Sequence, residues 1–109
     1  MKHTLELEDL SPCPVERTAT LLGDSWTILI VRDLMGGAKR FGQLQASLGN
    51  VSPKTLSHRL KMLEHMGILT RCAYAEIPPR VEYALTEKGR ALCPVIDAMR
   101  SYGENYLDV

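Results

Sequence analysis

Cysteine is scarce and unpaired in pattern: Cys13, Cys72 and Cys93 form no Cys-x-x-Cys pair, and no histidine stands at zinc spacing from them. An odd count without such motifs argues against a disulfide framework or a structural zinc and fits a reducing compartment. No apolar run approaches the ~20 residues of a bilayer span. The longest, Trp26 to Val31, is broken by Arg32 and Asp33. Near the start, Glu6, Glu8 and Asp9 occupy the place where an export signal carries basic and then apolar residues. A cytoplasmic protein with no membrane contact is therefore expected. Internal repeats, low-complexity runs, a nucleophile elbow, a phosphate loop and a metal motif are also missing. The cysteines and histidines fall on different sides of the expected core, so an enzyme lacks its partnered base, and no cofactor is implied.

Net charge is missing too, since 13 basic and 13 acidic residues cancel. Their distribution is uneven. Residues 1–35 carry a net −3, residues 36–71 a net +5 and residues 72–109 a net −2. The middle third, with Lys39, Arg40, Lys54, Arg59, Lys61 and Arg71 against Glu64 alone, is the candidate anion-binding surface. A solvated helix face is the competing reading of charge alone.

The 109 residues suffice for one domain with one core. Pro14 opens a helix that Gly23 closes. Asp24 or Ser25 caps a second, nearly all-apolar helix ending at Gly36-Gly37, which reads as the buried central helix with Trp26 in the core. A short helix at about Phe41 to Ser47 places Phe41, Leu44 and Leu48 inward. Ser52 and Pro53 then start another, whose Leu56, Leu60 and Leu63 form a stripe ending at Gly67. These two make a helix-turn-helix over residues 41–67. Leu69 to Tyr74 and Val81 to Leu85 read as a hairpin over residues 69–85, its prolines Pro78 and Pro79 holding Arg80 at a stiff tip. Thr86 caps a last helix over residues 87–106 that Pro94 kinks or divides.

Beyond that proline, Val95, Met99, Tyr102 and Tyr106 make an apolar stripe, and Leu5, Leu7 and Leu10 lie in an N-terminal arm, residues 1–12. Both sets are assigned to a homodimer interface. The expected fold is α+β, mainly α: a winged helix-turn-helix with a two-stranded wing and terminal dimerisation helices.

The residues resemble the HxlR-type winged helix-turn-helix regulators over about residues 12 to 105. The likeness rests on Cys13-Pro14-Val15, Gly23 with Trp26, Leu29-Ile30-Val31-Arg32-Asp33-Leu34, Arg40-Phe41-Gly42-Gln43-Leu44, Ser52-Pro53-Lys54-Thr55-Leu56, Arg59-Leu60, Leu63-Glu64 and Pro79-Arg80-Val81-Glu82-Tyr83-Ala84-Leu85-Thr86-Glu87-Lys88-Gly89. Ser25 stands where many relatives carry Lys or Arg. The resemblance implies homodimers on operators of two-fold symmetry and, in some members, an N-terminal thiol that senses electrophiles or oxidants. Cys13 is the match to that position.

On this reading the partner is double-stranded DNA. Lys54, His58, Lys61 and His65 face away from the leucine stripe, with Thr55 and Arg59 flanking. Ser52, Lys54 and Thr55 sit at the helix start, where N–H groups favour phosphate, and Arg59 is the candidate for guanine. Lys61 contacts phosphate, while His58 donates to a base or is only exposed. Arg40 and Arg80 complete the DNA-binding set. Cys13, at a helix start and one turn before Arg17, is favoured as a thiolate, so a small electrophile or oxidant is a further partner. Cys72 and Cys93 are expected to pack as small hydrophobes. A winged helix that binds protein instead of DNA is the alternative.

Overall fold

The computed structural model describes residues 11–107, so Leu5, Leu7 and Leu10 lie outside the described residues. In chain order the elements are α1 (Pro14–Leu21), α2 (Ser25–Leu34), α3 (Phe41–Leu48), α4 (Pro53–His65), β1 (Leu69–Tyr74), β2 (Arg80–Leu85), α5 (Glu87–Arg90) and α6 (Cys93–Tyr106).

Asp24 is the cap of α2: its Oδ1 accepts the Thr27 N–H at 2.8 Å. The helix buries Thr27, Ile30, Val31 and Leu34, and Trp26, Ile28 and Leu29 pack partly against the same core. Helix α3 begins where the Arg40 N–H donates to Gln43 Oε1 at 2.8 Å, and it buries Leu44 and Leu48. In α4, Ser52 Oγ accepts the Thr55 N–H at 3.1 Å and Pro53 occupies the first turn, as the sequence predicts. Leu56, Leu60 and Leu63 turn inward with essentially no exposure. At the far end Gly67 adopts φ +77°, a left-handed conformation natural to glycine. There the Gly67 N–H reaches the Glu64 carbonyl at 3.0 Å and the Ile68 N–H the Leu63 carbonyl at 2.9 Å. That pair of bonds is the Schellman closure, and it turns the chain directly into β1.

Strands β1 and β2 are antiparallel, in register from Leu69 opposite Leu85 to Tyr74 opposite Arg80. Lys39 adds a bridge on the outer side of β2: the Lys39 N–H donates to the Tyr83 carbonyl at 2.9 Å, and the Tyr83 N–H donates to the Lys39 carbonyl at 2.8 Å. The residue leading into α3 is thereby fastened to the hairpin. Two expectations are corrected here. Arg80 opens β2 instead of standing at the tip of the link. Cys72 is exposed, because only Leu69 of β1 is buried and the strand leaves the core after one residue. Cys93, by contrast, does pack partly against the core.

The final segment is two helices, α5 and α6, with Ala91 and Leu92 between them and Pro94 in the first turn of α6. Thr86 Oγ1 accepts the Gly89 N–H at 3.0 Å and itself donates to the carbonyls of Gly67 and Ile68. Lys88 Nζ donates to the Met66 carbonyl at 2.9 Å, against the negative end of the α4 dipole. Gly89 lies so close to this junction that a Cβ there would stand 2.0 Å from the Ile68 carbonyl oxygen. The C-terminus of α4 is therefore held by α5, which leads straight into α6. Helix α6 anchors through Leu92 and Ile96, and α1 buries no residue at all. The architecture is a winged helix-turn-helix, mainly helical, with a two-stranded wing.

Candidate nucleic-acid interface

The outer face of α4 carries an open depression of about 760 Å³ lined by Lys54, Thr55, Ser57, His58, Arg59 and Lys61. It exists because the leucines take the opposite face, leaving polar residues at the intervening positions. Sequence reading placed five of these residues together. Ser57 was missed, although its position between Lys54 and Lys61 on the same face could have found it.

The start of α4 is more committed internally than its sequence suggests. The Ser52 hydroxyl donates to Thr55 Oγ1 at 2.9 Å while accepting the Thr55 N–H, so both side chains serve the cap. Pro53 has no N–H, and that of Leu56 goes to the Ser52 carbonyl at 3.0 Å. The Lys54 N–H is thus the first-turn donor that the helix itself does not use.

Arg59 is tethered. Its Nε donates to Asp24 Oδ2 at 2.7 Å, and Nη1 lies 2.9 Å from His58 Nδ1. A guanidinium only donates, so His58 Nδ1 accepts and the imidazole carries its proton on Nε2. A quarter of the Arg59 side chain remains exposed. Asp24 is the partner that sequence reading missed, because it lies 35 residues away and was visible only as a helix cap.

On the wing, Arg80 meets Glu76 at 3.1 Å and Glu82 at 3.8 Å, and its guanidinium carbon lies 4.1 Å from the centre of the Tyr74 ring. The pair of carboxylates neutralises the cation where it sits. The Tyr74 hydroxyl is held above its ordinary range, chiefly by its hydrogen bond with the Cys72 thiol and that thiol's negative charge when ionised. Glu82 adds to the effect and Arg80 opposes it. Arg40 is exposed just before α3.

Away from this face, Cys13 is exposed and occupies the cap position of α1, its N–H bonded to Ser11 Oγ at 3.0 Å. Arg17 directs Nη1 to the Ser11 and Pro12 carbonyls, at 3.3 and 3.2 Å. The α6 stripe lies open: Met99 is 45% exposed, Tyr102 59% and Tyr106 72%, with Val95 at the edge of the covered surface. The Tyr102 and Tyr106 rings pack on each other with centroids 5.1 Å apart. Among the described residues no three His, Cys, Asp or Glu side chains cluster as metal ligands, and no helix is long and apolar enough to cross a membrane.

Comparison with known proteins places this geometry. The family model of the HxlR-like helix-turn-helix matches residues 21–109. An HTH-type transcriptional regulator of Synechocystis sp. is 47% identical over 96 residues, covering 88% of this chain and 71% of that protein. The HTH-type regulator YdeP of Bacillus subtilis is 39% identical over 101 residues, covering 93% and 79%. Among solved structures, the redox regulator HypR in its oxidised form superposes with a TM-score of 0.83 at 37% identity, over 89% of this chain and all of HypR. The reduced form of the B. subtilis regulator YodB does so at 0.75 and 39% identity, over 88% and 95%. The chain belongs to the HxlR-like helix-turn-helix family of transcriptional regulators.

Proposed function

We propose that the protein binds double-stranded DNA as a homodimer on an operator of two-fold symmetry, with α4 in the major groove and the wing beside it. The observation that carries this reading is the open face of α4, where Lys54, Arg59 and Lys61 converge with Thr55 and His58 and no carboxylate lines the depression. A helix entering a groove needs such a face on its outer side and apolar anchors on the other. Lys54, Lys61 and Arg40 are the phosphate contacts. Arg59 reads guanine, and Ser52 with Thr55 sets the orientation of the helix start. Arg80 acts only where a phosphate displaces Glu76 or Glu82. The dimer forms through the exposed stripe Val95, Met99, Tyr102 and Tyr106, joined by the N-terminal arm.

The test is the salt dependence of affinity. Three phosphate-contacting cations per protomer give a slope of log affinity on log salt of about −5 for the dimer. A slope near zero would remove the DNA reading and favour a protein-binding winged helix.

The exposure of Cys13 at a helix start supports a second layer, in which its oxidation or alkylation changes operator affinity. HypR is described as a redox regulator, which adds to the same reading. Diamide or a quinone is expected to alter binding by the parent protein and not by Cys13→Ser, with reductant reversing the diamide effect. Equal insensitivity of the two would end the sensor reading and leave DNA binding intact.

A further inference from the structure

Asp24 stands before α2, outside the helix-turn-helix, yet it controls the side chain that α4 presents. Its carboxylate is divided between two tasks: Oδ1 accepts the Thr27 N–H at 2.8 Å and Oδ2 accepts Arg59 Nε at 2.7 Å. The first bond fixes the carboxylate to the rigid start of the buried helix α2. The second fixes the guanidinium of Arg59 by one edge. Arginine reads guanine with two donors, and the fork can offer either its end, Nη1 with Nη2, or its side, Nε with Nη2. With Nε engaged, the side approach is closed and the end remains. His58 Nδ1, 2.9 Å from Nη1, takes one of the two hydrogens there, so the end keeps one donor on Nη1 and those of Nη2.

We propose that Asp24 is a specificity-determining positioning residue that holds Arg59 for end-on recognition of one guanine in each half-site. This rests on the DNA reading above. Asp24 need not touch DNA. It removes rotamer freedom from Arg59 before binding, so less is lost when the base is met.

The experiment selects bound sequences from a pool of randomised duplexes with the full-length parent, Asp24→Asn and Arg59→Ala, and records a melting curve and a salt slope for each. Asn caps a helix as well as Asp does, but its amide nitrogen would face Arg59 Nε donor to donor and release it. Asp24→Ser, which keeps a capping oxygen and has no second one, is the companion variant. The parent is expected to prefer guanine at one symmetry-related pair by roughly five- to a hundred-fold, the range a bidentate contact supplies. In Asp24→Asn, Asp24→Ser and Arg59→Ala that preference falls to about twofold or less, while the Asp24 variants bind random duplex no more weakly than the parent. Full preference retained by folded Asp24 variants, with or without a general gain in affinity, would overturn the proposal and leave Asp24 as a cap and charge neutraliser. Full preference in Arg59→Ala would overturn it too, with DNA binding intact. Absence of salt-dependent binding by the parent would remove the DNA reading itself, and the proposal with it.

Discussion

Gly89 has the tightest requirement for its residue type among the described glycines. A Cβ at this position would meet the Ile68 carbonyl oxygen at 2.0 Å and Leu85 Cδ2 at 3.1 Å, and neither the strand nor the core can retreat that far. Gly89→Ala is expected to lower stability by about 2 kcal/mol or more, as overpacking against fixed backbone does. Gly42 is the opposite case: it lies in α3 with open space where a Cβ would stand, so Gly42→Ala should raise stability by about 0.5–1 kcal/mol through helix propensity. Thermal denaturation of the two variants beside the parent checks both signs. Ser52 is intermediate. Its loss in Ser52→Ala frees the Thr55 N–H and hydroxyl and should cost about 1 kcal/mol, which Ser52→Asp should largely restore.

Among the elements, α4 and the wing both carry cations, and Lys54 of α4 is more available than Arg80 of the wing. Lys54 is exposed on an open helix face, whereas Arg80 is paired with Glu76 and Glu82 and stacked on Tyr74. Lys54→Ala is therefore expected to weaken binding to operator and random duplex alike and to reduce the salt slope by about 1 per protomer contact. Arg80→Ala should do less to affinity, since a phosphate must displace carboxylates already in place. Titrations of both variants at several salt concentrations separate them, and an equal loss would show that the wing opens on binding. The same contrast marks what the sequence makes legible. Ser52-Pro53, Gly67 and Thr86 announce their helix ends because a cap is chosen by residues within a turn of it, and the leucine stripe of α4 follows from its period. Arg59 with Asp24, and Lys39 with Tyr83, depend on how separate segments meet, and no local spacing encodes that. Glu76 and Glu82 are near Arg80 in sequence, but only the hairpin register shows that both turn toward it. Cys72 misled for a similar reason: a strand pattern suggests a covered face, while the hairpin projects beyond the core.

For the whole molecule, most of the exposed large hydrophobic side chains among the described residues lie toward the two ends of the described chain. Helix α1 buries nothing, and the outer stripe of α6 leaves two tyrosines and a methionine in water. A charged double variant, Met99→Glu with Tyr102→Glu, is expected to sediment as a monomer and to lose cooperative operator binding. The parent should sediment as a dimer whose melting temperature rises with concentration. A dimer persisting in the double variant would move the interface off α6.

The bridge between Lys39 and Tyr83 also bears on how the chain reaches its folded state. Its partners are separated by about forty residues, with the whole of α3, α4 and β1 between them. Helices form from contacts a few residues apart, in about a microsecond, but this bridge must await closure of a long loop and the prior turn of the hairpin. The bridge on the outer edge of β2 is therefore expected to close after the helices and, held by one pair of bonds, to open more readily than the helix interiors. Protection of the amides of Lys39 and Tyr83 from exchange should be weaker than in the middle of α2 and alike at the two positions, because each N–H is protected by the other residue's carbonyl.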